Sequence, residues 1–311
     1  MSLIGILIIF ILIVNIVVFL FSVKKFSDEV EKLFGDRFKK ILERFTNTTA
    51  KGVFTGAGIT SIVQSSAAVA IMLVSLADAG LITLKNSLGV IIGSNIGTTI
   101  TAQIMAFNIF KIAPYILLLG LILMIIKNRY NKLQRFGKPI FYFGLMFTCL
   151  LIISILSSTF KESEVVSFLI QKSSNILIAI GIGIVVSIIL QSSSVTTGLA
   201  VIFVSSGLLT FSQAFGIILG ANIGTTGTTL VASLITGING KRVAFAHFIF
   251  NFLGVLIFLP FVDMFSNLIQ KIPTSPMWQV ALSHLIFNCI IAMVFIIFIK
   301  PYEKFIVKVI K

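Results

Sequence analysis

Two short polar segments in an otherwise apolar chain carry its chemistry, Gln64-Ser65-Ser66 and Gln191-Ser192-Ser193. Each is followed 29 residues later by the same run, Gly93-x-Asn95-Ile96-Gly97-Thr98-Thr99-x-Thr101 and Gly220-x-Asn222-Ile223-Gly224-Thr225-Thr226-x-Thr228. At membrane depth such backbone is tolerated only where it is buried in protein or lines a cavity. A helix broken there exposes N–H groups with partial positive charge, and neighbouring hydroxyls and amides add neutral donors, which makes an anion site without arginine. The broken ends also offer carbonyl and hydroxyl oxygens, which suit a hard cation such as sodium. No basic residue lies in either segment, so a bound anion depends on dipoles and on co-bound cations, and cation coupling is expected.

The two segments belong to one duplicated unit. Displaced by 127 residues, positions 56–102 align with 183–229 without a gap, and 18 of 47 are identical. Close helix packing explains Gly, Ser and Thr in a single copy; two equally spaced copies favour a duplicated transport module. The expected architecture is an all-α polytopic membrane protein of two inverted-topology repeats with broken helices and re-entrant hairpins. The expected units are residues 1–126 with a core at 52–106, residues 127–262 with a core at 179–236, and residues 263–311 as an external loop, a final transmembrane helix and a cytoplasmic tail.

Composition demands a membrane. Of 311 residues 57% are hydrophobic and 11% charged, against about 25% charged in soluble domains. Leu3–Val23, Ile112–Ile126, Ile140–Leu156, Val243–Val262 and Val280–Ile299 read as spanning helices. Leu3–Val23 lacks a signal peptide's basic leader and cleavage site and is read as a helix of the mature protein. The net charge of +14 suggests nucleic acid until the charges are located. Nineteen of 24 basic residues fall in Lys24–Lys51, Lys127–Lys138, Lys241-Arg242 and Lys300–Lys311, the pattern of cytoplasmic loops. The N-terminus is then outside, the C-terminus cytoplasmic, and Lys161–Lys172 and Asp263–Pro276 external. The two cores cross in opposite directions.

Other residues carry less. Asp78 reads equally as an intramembrane carboxylate and as a solvated hairpin tip. His247/Asn251 and His284/Asn288, each at i and i+4, favour interhelical hydrogen bonding over a proton or ligand role. Phe26–Phe45 has the spacing of an interfacial amphipathic helix with a solvated charged face. Cys149 and Cys289 lie in apolar helices without neighbouring ligands. No His, Cys, Asp or Glu pattern suggests an enzyme.

These motifs, the amphipathic segment and the His-x-x-Phe-Asn helices resemble the sodium-dependent phosphate cotransporter family, bacterial branch, over nearly the whole chain. The resemblance implies sodium-coupled phosphate symport into the cell by alternating access, with no cofactor beyond Na+ as coupling ion. It places phosphate at Gln64, Ser65, Ser66, Gln191, Ser192, Ser193 and Ser194. Sodium is placed beside it, at Asn95, Thr98, Thr99, Thr196, Thr197, Asn222, Thr225 and Thr226. The implied partners are inorganic phosphate, sodium ions and the lipid bilayer of the cytoplasmic membrane, not nucleic acid; a homodimer is left open. Two departures stand out. Ala67, Val69 and Ala70 replace Ser194, Thr196 and Thr197 of the second copy, so that copy is expected to carry more of the binding. The PhoU-like domain of many bacterial members is not found here, and regulation through it is not expected. The competing readings are a transporter of another anion, such as a dicarboxylate or sulfate, and a membrane phosphate sensor that does not transport.

Overall fold

The structure, a computed structural model, describes residues 3–107, 109–126, 133–157 and 173–311. The Lys161–Lys172 loop and the first half of the Lys127–Lys138 loop lie outside them. Among the described residues the α-helices are α1 (Leu3–Phe45), α2 (Thr49–Val63), α3 (Ser66–Asp78), α4 (Leu84–Thr98), α5 (Ile100–Ala106), α6 (Ala113–Ile125) and α7 (Gln134–Ser157), then α8 (Ile176–Leu190), α9 (Ser193–Ser205), α10 (Phe211–Ser233), α11 (Ile238–Phe258), α12 (Val262–Gln270), α13 (Pro276–Ile297) and α14 (Ile299–Val309).

The duplication in sequence reappears helix by helix. The helices α2 and α8 are both 15 residues long, and α3 and α9 both 13. Thr83 and Thr210 close the next helices by accepting hydrogen bonds from the N–H groups of Asn86 and Gln213, as N-cap hydroxyls do. The turns before them hold Gly80 and Gly207 at φ 72° and 70°, a conformation that a Cβ disfavours. In the first copy Thr99 interrupts α4 and α5, whereas α10 runs through the equivalent point.

Glycine brings the helices of each copy together. A Cβ on Gly56 or Gly93 would lie well under 3.0 Å from the carbonyl oxygens of Val90 and Val53, so α2 and α4 touch backbone to backbone. Gly183 and Gly220 do the same for α8 and α10. Apolar burial gives no drive between helices in lipid, so close van der Waals packing of small residues is what holds such a seam. The two copies also interlock. The first broken helix, α3, packs on α10 and α11, while α9 packs on α5, α7 and α13. Buried Asn15 adds a fixed point between α1 and α7 by donating to the Cys149 carbonyl at 2.7 Å.

Two expectations about the outer helices change. The segment Phe26–Phe45 is not a separate interfacial helix but the second half of uninterrupted α1. Its apolar face meets protein: Phe26 packs on Phe143 and Phe34 on Phe136, both from α7, at centroid distances of 5.4 and 6.2 Å. The return crossing expected at Ile112–Ile126 is the 13-residue α6, about 20 Å long and short of a ~30 Å hydrocarbon core. Gly120 and Gly144 seat α6 against the backbone of α7.

Among the described residues six helices are long and apolar enough to cross a membrane, within Phe10–Phe45, Leu84–Ala106, Gln134–Leu156, Phe211–Ser233, Ile238–Gln270 and Pro276–Ile297. The protein is an all-α polytopic membrane protein. The repeated polar motif of α4 and α10 sits on two of these spans, and both are largely buried.

Candidate functional site

Both Gln-Ser-Ser segments break a helix, and in the same way. Gln64 and Gln191 have φ 57° and 53°, and among the described residues they are the only non-glycine positions with positive φ. A side chain held there costs roughly 1–3 kcal/mol and persists only where its surroundings impose it. The next residue is extended and caps the following helix: Ser65 accepts from the Ala68 N–H and Ser192 from the Val195 N–H. Each break therefore ends one helix and starts another within two residues, leaving the new helix's first N–H groups without intrahelical acceptors.

The tertiary fold brings the two breaks together. A cavity of about 280 Å³ is lined by Gln64, Ser65, Ala67 and Ala68 from one break and by Gln191, Ser192 and Val195 from the other. Its size lies just under the ~300–1,000 Å³ of pockets for larger organic ligands and suits a small ion. Ser66, Ser193 and Ser194 are buried behind the breaks and are not among its lining residues. The Ser194 hydroxyl instead donates to the Gln64 carbonyl oxygen at 3.2 Å, tying the second copy to the first.

The two glutamines differ. Gln64 is 7% exposed; its Nε2 donates to the Ser61 carbonyl at 2.6 Å, and its Oε1 accepts from the Thr101 hydroxyl at 2.6 Å. Gln191 is exposed, and among the described residues its amide faces no such network. Gln64 is locked in place, whereas Gln191 offers a free amide to the cavity.

The eight residues expected around sodium are buried, and none lines this cavity. Most turn their polar groups to their own helix: Asn95 donates to Ile91, Thr98 to Ser94, Thr99 to Ile96, Thr196 to Ser192 and Thr226 to Ile223, all to carbonyl oxygens. Thr225 also pairs with the Ser187 hydroxyl at 2.9 Å. Asn222 lies 3.3 Å from His284 Nε2 and 3.5 Å from Asn288 Oδ1, and His247 Nδ1 lies 3.2 Å from the Thr229 hydroxyl. Both histidines thus reach α10, the interhelical role expected for them. Among the described residues Thr197 Oγ1 is buried without a partner. Asp78 is exposed at the end of α3, its carboxylate set against Gly237 at the start of α11. It is a solvated tip beside a helix N-terminus, where negative charge is favourable.

Sequence reasoning left several cavity residues out. Thr228, the last threonine of the second repeated run, lines the cavity, and its counterpart Thr101 holds Gln64. Both stand in the repeated motif, which is the signal that could have found them. The cavity's third wall is α1, through Leu20, Val23, Lys24, Ser27, Asp28 and Glu31. Among the described residues no three His, Cys, Asp or Glu side chains group so as to hold a metal ion.

The sequence pattern of the Na+/Pi-cotransporter family matches residues 18–155 and again 156–305. The chain belongs to the Na+/Pi-cotransporter family. It is 30% identical over 243 residues to the Uncharacterized protein YqeW of Bacillus subtilis, covering 77% of this chain and 78% of that one. The Putative inorganic phosphate export protein YjbB of Escherichia coli is 25% identical over 244 residues, 78% of this chain and 45% of its own. The human Sodium-dependent phosphate transport protein 2B is 39% identical over 150 residues, 45% of this chain and 22% of its own. This chain therefore spans most of the first relative and under half of the other two. No solved structure matches it. As a member of this family the protein is a polytopic membrane transporter.

Proposed function

We propose that this cotransporter-family member is a sodium-coupled inorganic phosphate symporter that works by alternating access between two inverted repeats. The observation that carries the reading is the meeting of the two breaks, 127 residues apart, around one ion-sized cavity. Their N–H groups, hydroxyls and the free amide of Gln191 favour an anion, and neutral donors alone leave its charge poorly balanced in a low-dielectric site. Bound sodium supplies the balance, and the buried oxygens of Thr196, Thr197, Asn95, Asn222 and their neighbours are the proposed ligands. Phosphate is proposed at Gln64, Ser65, Gln191 and Ser192, with Ser66, Ser193 and Ser194 behind them.

The basic residues orient the chain, placing Lys24–Lys51 and α14 in the cytoplasm and the Lys271 turn outside. On that orientation the cavity, which follows α1 from Leu20 to Glu31, reaches toward the cytoplasm and the state is inward-facing. In a background without Cys149 and Cys289, an impermeant thiol reagent applied to intact cells should label Lys271→Cys and spare Lys304→Cys. The reverse pattern overturns the orientation.

The transport reading is tested with labelled phosphate and purified protein in proteoliposomes. Uptake should follow an inward sodium gradient and fall to background when choline replaces sodium. Uptake indifferent to sodium but driven by a proton gradient replaces the coupling ion. Competition by sulfate or a dicarboxylate that exceeds competition by phosphate replaces the substrate. A phosphate-export role, as the name of the Escherichia coli relative states, corresponds to the same cycle run outward: a symporter follows its combined gradients, so preloaded vesicles with an outward sodium gradient should lose phosphate.

A further inference from the structure

The strongest unassigned feature of the cavity is the wall supplied by α1. Lys24, Ser27, Asp28 and Glu31 recur at helical spacing and share one face of that helix, and all four line the cavity with both breaks. Among the described residues that line the cavity Lys24 is the only cation. Its level relative to the breaks is fixed by packing: Phe19, Val23 and Phe26 enclose a small void with Gln64, Thr101 and Ser194. Gln64 therefore sits beside the turn of α1 that carries Lys24. Asp28 and Glu31 lie about 6 and 10 Å farther along the axis. Among the described residues Lys24 has no carboxylate within 4.0 Å, the ion pair of this region being Lys32 with Glu29.

Resting on the proposed function of this cavity, we propose that Lys24 is an anion-binding residue of the transport site, supplying the full positive charge that neither Gln-Ser-Ser break contains. Its flexible four-carbon stem places an ammonium with three donors at the end of a mobile arm, so it can meet a tetrahedral oxyanion held at the ends of α3 and α9. Lys25 provides the comparison. It carries the same charge at the neighbouring position, but its ammonium lies 5.7 Å from the Phe21 ring centroid, and it does not line the cavity.

The test is phosphate affinity of the purified full-length protein in detergent, at saturating sodium, for wild type, Lys24→Gln, Lys24→Arg and Lys25→Gln. Melting temperature without phosphate serves as the folding check. Lys24→Gln should weaken phosphate binding about tenfold to a hundredfold. Lys24→Arg should recover most of it, and Lys25→Gln should match wild type. The gap between wild type and Lys24→Gln should narrow as ionic strength rises. Wild-type affinity in Lys24→Gln overturns the proposal, as does an equal loss in Lys25→Gln, which would mark a general surface-charge effect. If wild type binds sulfate or a dicarboxylate and not phosphate, the substrate reading fails, while the same four proteins measured with that anion still decide the role of Lys24. If wild type binds none of these anions, the transport reading and the role of Lys24 fall together.

Discussion

Gly93→Ala should lower the stability of the protein by an amount near the top of the ~1–3 kcal/mol range for overpacked cores. A Cβ at this position meets the backbone of Val53, namely its carbonyl oxygen, carbonyl carbon and Cα. No side-chain rotamer can relieve that clash, so α2 and α4 must move apart. Gly89 and Gly97 lie on the same seam against Thr49 and Ala57, so separation at one point forfeits dispersion contacts along the length of both helices. Gly58 is the control. It lies on α2 as well, but a Cβ there meets nothing within 4 Å, and Gly58→Ala should stay within ~0.5 kcal/mol of wild type. Melting of both variants in detergent decides the matter: a Gly93→Ala protein that melts with wild type removes the seam from the account. Function should follow stability, because α2 ends at Gln64 and the left-handed conformation of that residue depends on where α2 lies.

Gln191→Ala and Gln64→Ala should part company, although the two residues are equivalent by sequence. Gln191 is exposed to the cavity and holds nothing in place, so its loss should leave the melting temperature unchanged. If its amide donates to the bound anion, phosphate affinity falls by about 1.5–3 kcal/mol, roughly tenfold to a hundredfold. Gln64→Ala leaves the buried Thr101 hydroxyl only its longer bond to the Ser194 hydroxyl at 3.4 Å and strips the Ser61 carbonyl of the donor that the side chain now supplies. An unsatisfied buried group costs about 1–3 kcal/mol, so this variant should lose both stability and binding. Affinity and melting temperature measured on the two proteins separate these outcomes. Wild-type affinity in Gln191→Ala takes its amide out of the site, and wild-type melting in Gln64→Ala shows that the network does not brace the junction between the copies.

Much of the protein was legible in its sequence, because the signals concerned are local. Long apolar runs require a membrane, and a 127-residue offset predicts that α2 and α3 recur as α8 and α9 with the same lengths. A polar Gln-Ser-Ser within apolar surroundings predicts a broken helix. The conformation at the break was not legible: left-handed backbone ordinarily selects Gly or Asn, and a glutamine placed there is imposed by its surroundings.

What only the tertiary structure decided is which of these residues face one another. Asp28 and Glu31 read in sequence as the solvated side of the amphipathic segment Phe26–Phe45, taken as an interfacial helix, and Lys24 as the start of a cytoplasmic basic run. The packing of α1 against α7 turns that charged face toward the two breaks, since the aromatic stripe of α1 finds partners in Phe143 and Phe136. Gln64 and Gln191 are likewise identical in type, local conformation and position within their repeats. One is buried by Thr101 and Ser194 and the other left open, because the contacts that distinguish them come from helices remote in the chain. Periodicity and duplication fix each helix and its break; the burial and partners of a side chain depend on long-range packing, to which the local pattern is blind.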